Sequence, residues 1–267
     1  MSNRSDPNPL LADDEPPPVA TFRLEGRAPV LLLCDHASRR VPRALGDLGL
    51  PATAFDRHIA WDIGASDVAH DLARAFDAPL IHSGYSRLVL DLNRALDNPG
   101  SIPVESDGTV VPANVGLPPA ERLRRVAALF EPYHAAIEAA VAAARRSGVA
   151  PAIVSVHSCT PVFKGFARPW HVGVLWNRDG RLARPLIERL AAMDGVTVGD
   201  NEPYSGRGGE GYTVKRHAEA LGLPHVTLEI RQDLIDTHHG AREWAARVAE
   251  ALAPLLSDPA LRAARSG

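Results

Sequence analysis

Cysteine is scarce: the 267-residue chain has two, Cys34 and Cys159. Two cysteines make no disulfide framework, and the default setting is reduced and cytoplasmic. No apolar run is long enough to span a bilayer, so a membrane partner is not expected. The N-terminal stretch MSNRSDPNPLLADDEPPPVA lacks the apolar core of a signal peptide. It reads as a loose leader over residues 1–20, followed by a single domain over 21–267. A basic excess is also missing: the formal net charge is −3, which disfavours a nucleic-acid partner. There is no internal repeat. The Gly-rich GRGGEG at 206–211 lacks the Lys-Ser/Thr of a phosphate loop and follows no clear strand, so it reads as a flexible lid or a turn. What is present is 45% hydrophobic and 23% charged residues, a balance that supports a substantial core.

The hydrophobic pattern alternates between the two regular periods. Strands are expected at 21–24, 30–34, 78–82, 86–92, 152–159, 170–176 and 225–230. Helices are expected at 65–76, 118–147, 182–193, 212–221 and 240–256, with a short helical or turn segment at 42–48. Val68, Leu72 and Phe76 keep four-residue spacing. Leu123, Val126, Leu129, Tyr133, Ile137 and Val141 keep a 3–4 spacing along the longest helix. Residues 97–119 form a long loop rich in Pro, Gly, Asn and Ser, of a length that is more often functional than idle, and it is expected to shape the pocket. A second irregular loop covers 161–169. The order implies an α/β fold, a three-layer α/β/α sandwich with a mixed, mainly parallel sheet.

Two buried strands each run into a histidine: VLLLCDHAS delivers His36 and AIVSVHSC delivers His157. One such His can cap a loop, but two matched ones point to a shared site at the carboxyl edge of the sheet. Neutral imidazole is the commonest ligand of a catalytic zinc, which needs a third protein ligand and an open position. The candidates for that ligand are Asp62, Asp35, Cys34 and Cys159. Asp62 is favoured because it follows Trp61 in an apolar stretch with no structural reason for an acid, whereas a buried Cys more often packs as a small apolar residue. Glu229 within HVTLEI cannot stay unpaired in an apolar layer. Either Arg231 or another base pairs with it, or it faces the site as a general base. Arg87, Asn93 and Arg94 form a third group, whose Arg forks suit a substrate carboxylate as well as a salt bridge to Asp91 or Asp97. Trp61, Trp170 and Trp176 read as packing, and His238-His239 as solvent-exposed.

The ordered set LLLCDHAS, WDIG, SRLVLDLNR, SVHS and LEIRQDLI resembles the N-formylglutamate amidohydrolase family, which is similar in fold to the zinc carboxypeptidases. The resemblance implies that Ser155-Val156-His157-Ser158 carries a zinc His, that Glu229-Ile230-Arg231 carries the catalytic glutamate, and that Asn93-Arg94 binds a substrate carboxylate. One motif departs. A His-x-x-Glu ligand pair would place Glu at position 39, where this chain has Arg39. The expected function is therefore a zinc-dependent amidohydrolase acting on a small acidic N-acyl amino acid such as N-formylglutamate. Its metal would be held by His36, His157 and Asp62, its general base and acid would be Glu229, and Arg94, Asn93 and Arg87 would orient the substrate. The alternatives are hydrolysis of another acyl-amino acid or small peptide, and a catalytically silent binding protein for an acidic metabolite.

Overall fold

The computed structural model of the chain describes residues 9–208 and 211–262. Strands buried on both faces set its centre. In chain order the strands are β1 (Val19–Phe22), β2 (Val30–Cys34), β3 (Leu80–Ser83), β4 (Glu105–Ser106), β5 (Thr109–Val110), β6 (Ala152–Cys159), β7 (Val162–Phe163), β8 (Phe166–Ala167), β9 (Val172–Leu175), β10 (Val198–Asp200) and β11 (His225–Arg231). Seven of them form one sheet in the order β1-β3-β2-β6-β11-β9-β10, while β4-β5 and β7-β8 are separate hairpins. The pairs β3-β2, β2-β6, β6-β11 and β9-β10 are parallel, and the pairs β1-β3 and β11-β9 antiparallel. Every residue of β2 and β6 is buried, as central strands covered on both faces must be.

Helices cover the two faces. On one side α1 (Ala65–Phe76), α4 (Ala183–Ala191) and α6 (His238–Ser257) pack Val68, Leu72, Leu186, Leu190, Val248 and Leu252 onto Leu32, Val154, Val156 and Leu228. On the other side α3 (Glu131–Arg146), preceded by α2 (Pro119–Arg125), and the short α5 (Tyr212–His217) meet Leu31, Leu33 and Ile153 through Tyr133, Ile137 and Val214. The expected three-layer α/β/α sandwich with a mixed, mainly parallel sheet is what forms.

Three expectations are corrected. Residues 86–92 are not a strand. Leu88, Val89, Leu90 and Leu92 are buried, but the segment's backbone pairs with side chains and with the following loop rather than with the sheet. Asn114 Nδ2 donates to Leu88 O (2.8 Å), Arg125 Nη1 donates to Val89 O (3.1 Å), and Asp91 N donates to Ser101 O (2.7 Å). The helix expected at 118–147 is interrupted by a π turn at Val126–Phe130. Pro132 has no N–H to continue the ladder, so the helix widens just before it. The added residue turns the face by about 100°, and Leu123 is 67% exposed instead of packed. Finally, the described part of the expected loose leader is tied down. Leu10 is buried, Pro16 O accepts from the Tyr85 hydroxyl (2.7 Å), and Glu15 accepts from Arg43 N (2.8 Å). Residues 1–8 of that leader lie outside the described residues, as do 209–210 of the Gly-rich segment.

Candidate active site

The site is assembled where β2, β6 and β11 end. Strand β2 stops at Cys34, and Asp35 and His36 follow it in a turn. His36 O accepts from Asp62 N (2.9 Å), which brings the WDIG segment under the turn. Gly64, at φ +78°, opens α1, and a Cβ there would meet Ile235 O at 2.1 Å. Only glycine allows that approach, and it sets Asp62 facing the sheet. In β11, Glu229 is in register with His157 of the parallel β6. Parallel strands in register present such residues on one face.

His36 Nδ1 and His157 Nδ1 lie 3.4 and 2.8 Å from Asp62 Oδ2. Ligand atoms of the three residues fall within 4.8 Å of one another. Each imidazole turns its Nε2 to a second buried carboxylate: His36 to Asp91 Oδ1 (2.8 Å) and His157 to Asp35 Oδ2 (3.1 Å). A carboxylate on the outer ring nitrogen is the arrangement that orients metal-ligating histidines. Asp35 also accepts from Tyr133 Oη (2.9 Å), Thr213 Oγ1 (2.7 Å) and Ser155 Oγ (3.2 Å). Burial works against its charge, but the hydrogen bond and charge of His157 outweigh it and hold Asp35 at about 2. Burial likewise opposes ionisation of Asp62 and Asp91, yet His36 beside Asp62 and Arg87 beside Asp91 bring both below the usual carboxylate range. Although burial disfavours its protonated form, His157 is raised well above an ordinary histidine by Asp35 and Asp62. Three carboxylates crowded on two imidazoles make a centre that favours added positive charge.

The donor set fits a divalent metal. Two neutral imidazoles and one carboxylate are a catalytic-type ligand trio. Buried His36 Nδ1 has no hydrogen-bond partner, and orphaned buried nitrogens are rare unless something else satisfies them. The Arg39 departure leaves this trio intact. Arg39 is exposed, pairs with Asp56 and lies 5.6 Å above the Trp61 ring. Asp62 offers the group a carboxylate that position 39 does not. Among the other third-ligand candidates, Asp35 backs His157 from the outer nitrogen. Cys34 packs on the opposite, α1-bearing face of the sheet, so it does not share a side with the histidines. Burial raises the Cys159 thiol to about 12, aided by the charge of Glu229.

A cavity of about 400 Å³ opens over this centre. Glu229 lines it, and Arg231 does not neutralise Glu229: its guanidinium is taken by Asp233 (2.8 Å) and by Arg168 O (3.0 Å). Among the described residues no side chain hydrogen-bonds to the Glu229 carboxyl. Burial raises Glu229 to about 7, against the opposing charge of His157. Arg87 reaches Asp91 Oδ2 (2.8 Å) and Asp62 Oδ1 (3.4 Å), and Arg94 Nε lies 3.5 Å from Asp91 Oδ2. Asn93 Oδ1 accepts from Thr213 N (3.0 Å). All seven residues singled out from the sequence therefore meet in one cavity, which Trp176 also lines while packing in the core as expected. The 97–119 loop does not line it as expected. Its Asp107 only touches His58 at the rim (3.5 Å). Asp91 and Asp35 carry much of the electrostatics by backing the two imidazoles, a role the sequence does not show: there Asp35 reads as a candidate ligand and Asp91 as a salt-bridge partner.

Comparison with known proteins agrees with this geometry. The family model described as N-formylglutamate amidohydrolase matches residues 28–236. An N-formylglutamate deformylase of Pseudomonas putida is 26% identical over 225 residues, 78% of this chain and 82% of the relative. A crystal structure of a gene product of Agrobacterium tumefaciens, 35% identical, superposes with a TM-score of 0.90 over 93% of this chain and 98% of that one. The N-formylglutamate amidohydrolase of Ralstonia eutropha JMP134, 23% identical, shares the fold with a TM-score of 0.60 over 90% of this chain and 95% of that one. With the match covering the central strands, the histidines and the cavity alike, the chain belongs to the N-formylglutamate amidohydrolase family.

Proposed function

We propose that this chain is a zinc-dependent amidohydrolase that cleaves the amide of a small acidic N-acyl amino acid, N-formylglutamate-like, to a carboxylate and the free amino acid. The observation that carries it is the convergence of His36 Nδ1, His157 Nδ1 and Asp62 Oδ2 beside a buried Glu229 that no described side chain hydrogen-bonds. His36, His157 and Asp62 would hold the metal, and when bound such an ion polarises the amide carbonyl and eases deprotonation of water.

The chain's own residues account for the rest. Asp91 and Asp35 keep the outer nitrogens of the histidines engaged, so both Nδ1 atoms stay turned inward. Glu229 near 7 is populated in both forms at neutral pH, as a group that takes and returns one proton should be. It accepts the proton of the attacking water as the new C–O bond forms. It then passes that proton to the leaving nitrogen as the C–N bond breaks. Arg94 and Asn93, with Arg87 behind them, orient the substrate carboxylate at the cavity wall. Two free buried cysteines support a reducing, cytoplasmic setting. The lone seven-stranded sheet beneath the family match supports reading 21–267 as one domain. No helix of the described residues is long and apolar enough to cross a membrane.

Formate release from N-formyl-L-glutamate by purified protein tests the reading. Wild type should turn over, and Glu229→Gln should lose about 10²- to 10⁴-fold in kcat while keeping its metal. Full activity in that variant removes Glu229 from the mechanism. A metal-loaded wild type that hydrolyses no N-acyl amino acid overturns the proposal.

A further inference from the structure

The cations that line the cavity are not alike. Arg87 and Arg94 both face Asp91, and Arg87 also faces Asp62, so each shares a carboxylate of the protein. Lys215, on α5, lines the same cavity. Its Nζ donates to the backbone carbonyl of Gly208 at 2.5 Å, and among the described residues no carboxylate pairs with it. A carbonyl satisfies one ammonium proton but leaves the charge uncancelled. Glu219, one helical turn on, is engaged elsewhere, with Oε1 3.5 Å from His225 Nε2 and Oε2 3.5 Å from Asn177 Nδ2.

The position of Lys215 is fixed by the centre itself. Tyr212 N and Thr213 N, at the start of α5, donate to Asn93 O (3.2 Å) and Asn93 Oδ1 (3.0 Å). Thr213 Oγ1 donates to Asp35, the carboxylate behind His157. The helix carrying Lys215 is thus anchored both to the Asn93-Arg94 pair and to the support of the metal-ligand candidates. An uncompensated charge on the wall of a partly enclosed cavity raises the local concentration of counter-ions and binds them better than an exposed one does.

We propose that Lys215 is a specificity-determining residue that binds the second, side-chain carboxylate of a dicarboxylic N-acyl amino acid. This rests on the hydrolase reading above, in which Arg94 takes the first carboxylate. Lys215 releases Gly208 O or shares its remaining protons, and the substrate's distal carboxylate supplies the missing negative charge. A neutral side chain leaves the ammonium unmatched and gains nothing from it. This places acidic over neutral selectivity on a residue that takes no part in bond cleavage.

The test compares N-formyl-L-glutamate with its near-isosteric amide, N-formyl-L-glutamine, in wild type, Lys215→Met and Lys215→Arg. In Lys215→Met the glutamate-to-glutamine ratio of kcat/KM should fall about 10- to 100-fold, the size of one charge-assisted hydrogen bond. The change should appear in KM for N-formylglutamate. Lys215→Arg should recover most of the ratio, which a merely structural role would not predict. An unchanged ratio in Lys215→Met, whether both substrates decline together or neither does, overturns the assignment. If wild type hydrolyses neither substrate, the hydrolase reading fails on its own. Calorimetric titration of wild type and Lys215→Met with the same two compounds then decides Lys215, with preferential wild-type binding of the dicarboxylate supporting it and equal binding refuting it.

Discussion

Glu229 is held where a carboxyl is uncomfortable: inside a strand, beside His157, with Arg231 turned away to Asp233. Its value of about 7 lies above the 4.5 of an ordinary glutamate, burial being the main cause. Stability linked to a raised carboxyl is fully present below about 4.5 and is lost as pH rises through about 7. Glu229→Gln removes that loss. In chelator-treated protein the variant should be more stable than wild type at pH 8, by on the order of 1–3 kcal/mol, with the difference vanishing near pH 4.5. Denaturant midpoints across that range check it, and a variant less stable than wild type at pH 8 contradicts a strained carboxylate. At this scale much of the site was legible. His36 and His157 stand at the ends of apolar runs, and Asp62 and Glu229 interrupt apolar stretches, so each violates its local pattern. Asp91 and Lys215 violate nothing locally, and only the folded chain shows that one backs His36 while the other has no carboxylate partner among the described residues.

The segment carrying Arg87, Asp91, Asn93 and Arg94 has no sheet partner, and its order comes from the 97–119 loop and α2. Asn114 is the joint. Its Nδ2 donates to Leu88 O and Pro103 O, and its Oδ1 accepts from the buried Arg125 (2.7 Å). Asn114→Ala strands Leu88 O and Pro103 O and leaves Arg125 one bond short, at about 1–3 kcal/mol for each buried group stranded. It should lower Tm by several degrees and reduce kcat/KM, because Asp91 and the two arginines lose their support. Glu105→Ala, on the exposed hairpin of the same loop, should change neither, and thermal melts with formate assays distinguish the pair. The loop therefore acts as a buttress behind the cavity wall. The sequence could not show this, because an apolar run such as LVLDL is buried equally well by strand pairing or by side chains that cap its carbonyls. The central strands were legible for the opposite reason, since continuous apolar runs closed by polar residues fit little else. The π turn before Pro132 escaped because a 3–4 stripe does not reveal one inserted residue.

For the whole molecule, a metal held at this centre would couple to fold stability. Asp35, Asp62 and Asp91 are buried around two histidines, and an ion bound only by the folded chain stabilises it by mass action. The most direct measurement is elemental analysis of metal per chain, together with formate release, for wild type and Asp62→Asn. The expected result is about one zinc per wild-type chain, removed by a chelator with loss of activity and a lower Tm, and both restored by re-addition. Asp62→Asn should bind metal weakly and be inactive. A wild-type protein that hydrolyses N-formyl-L-glutamate at full rate with no metal bound would contradict metal dependence.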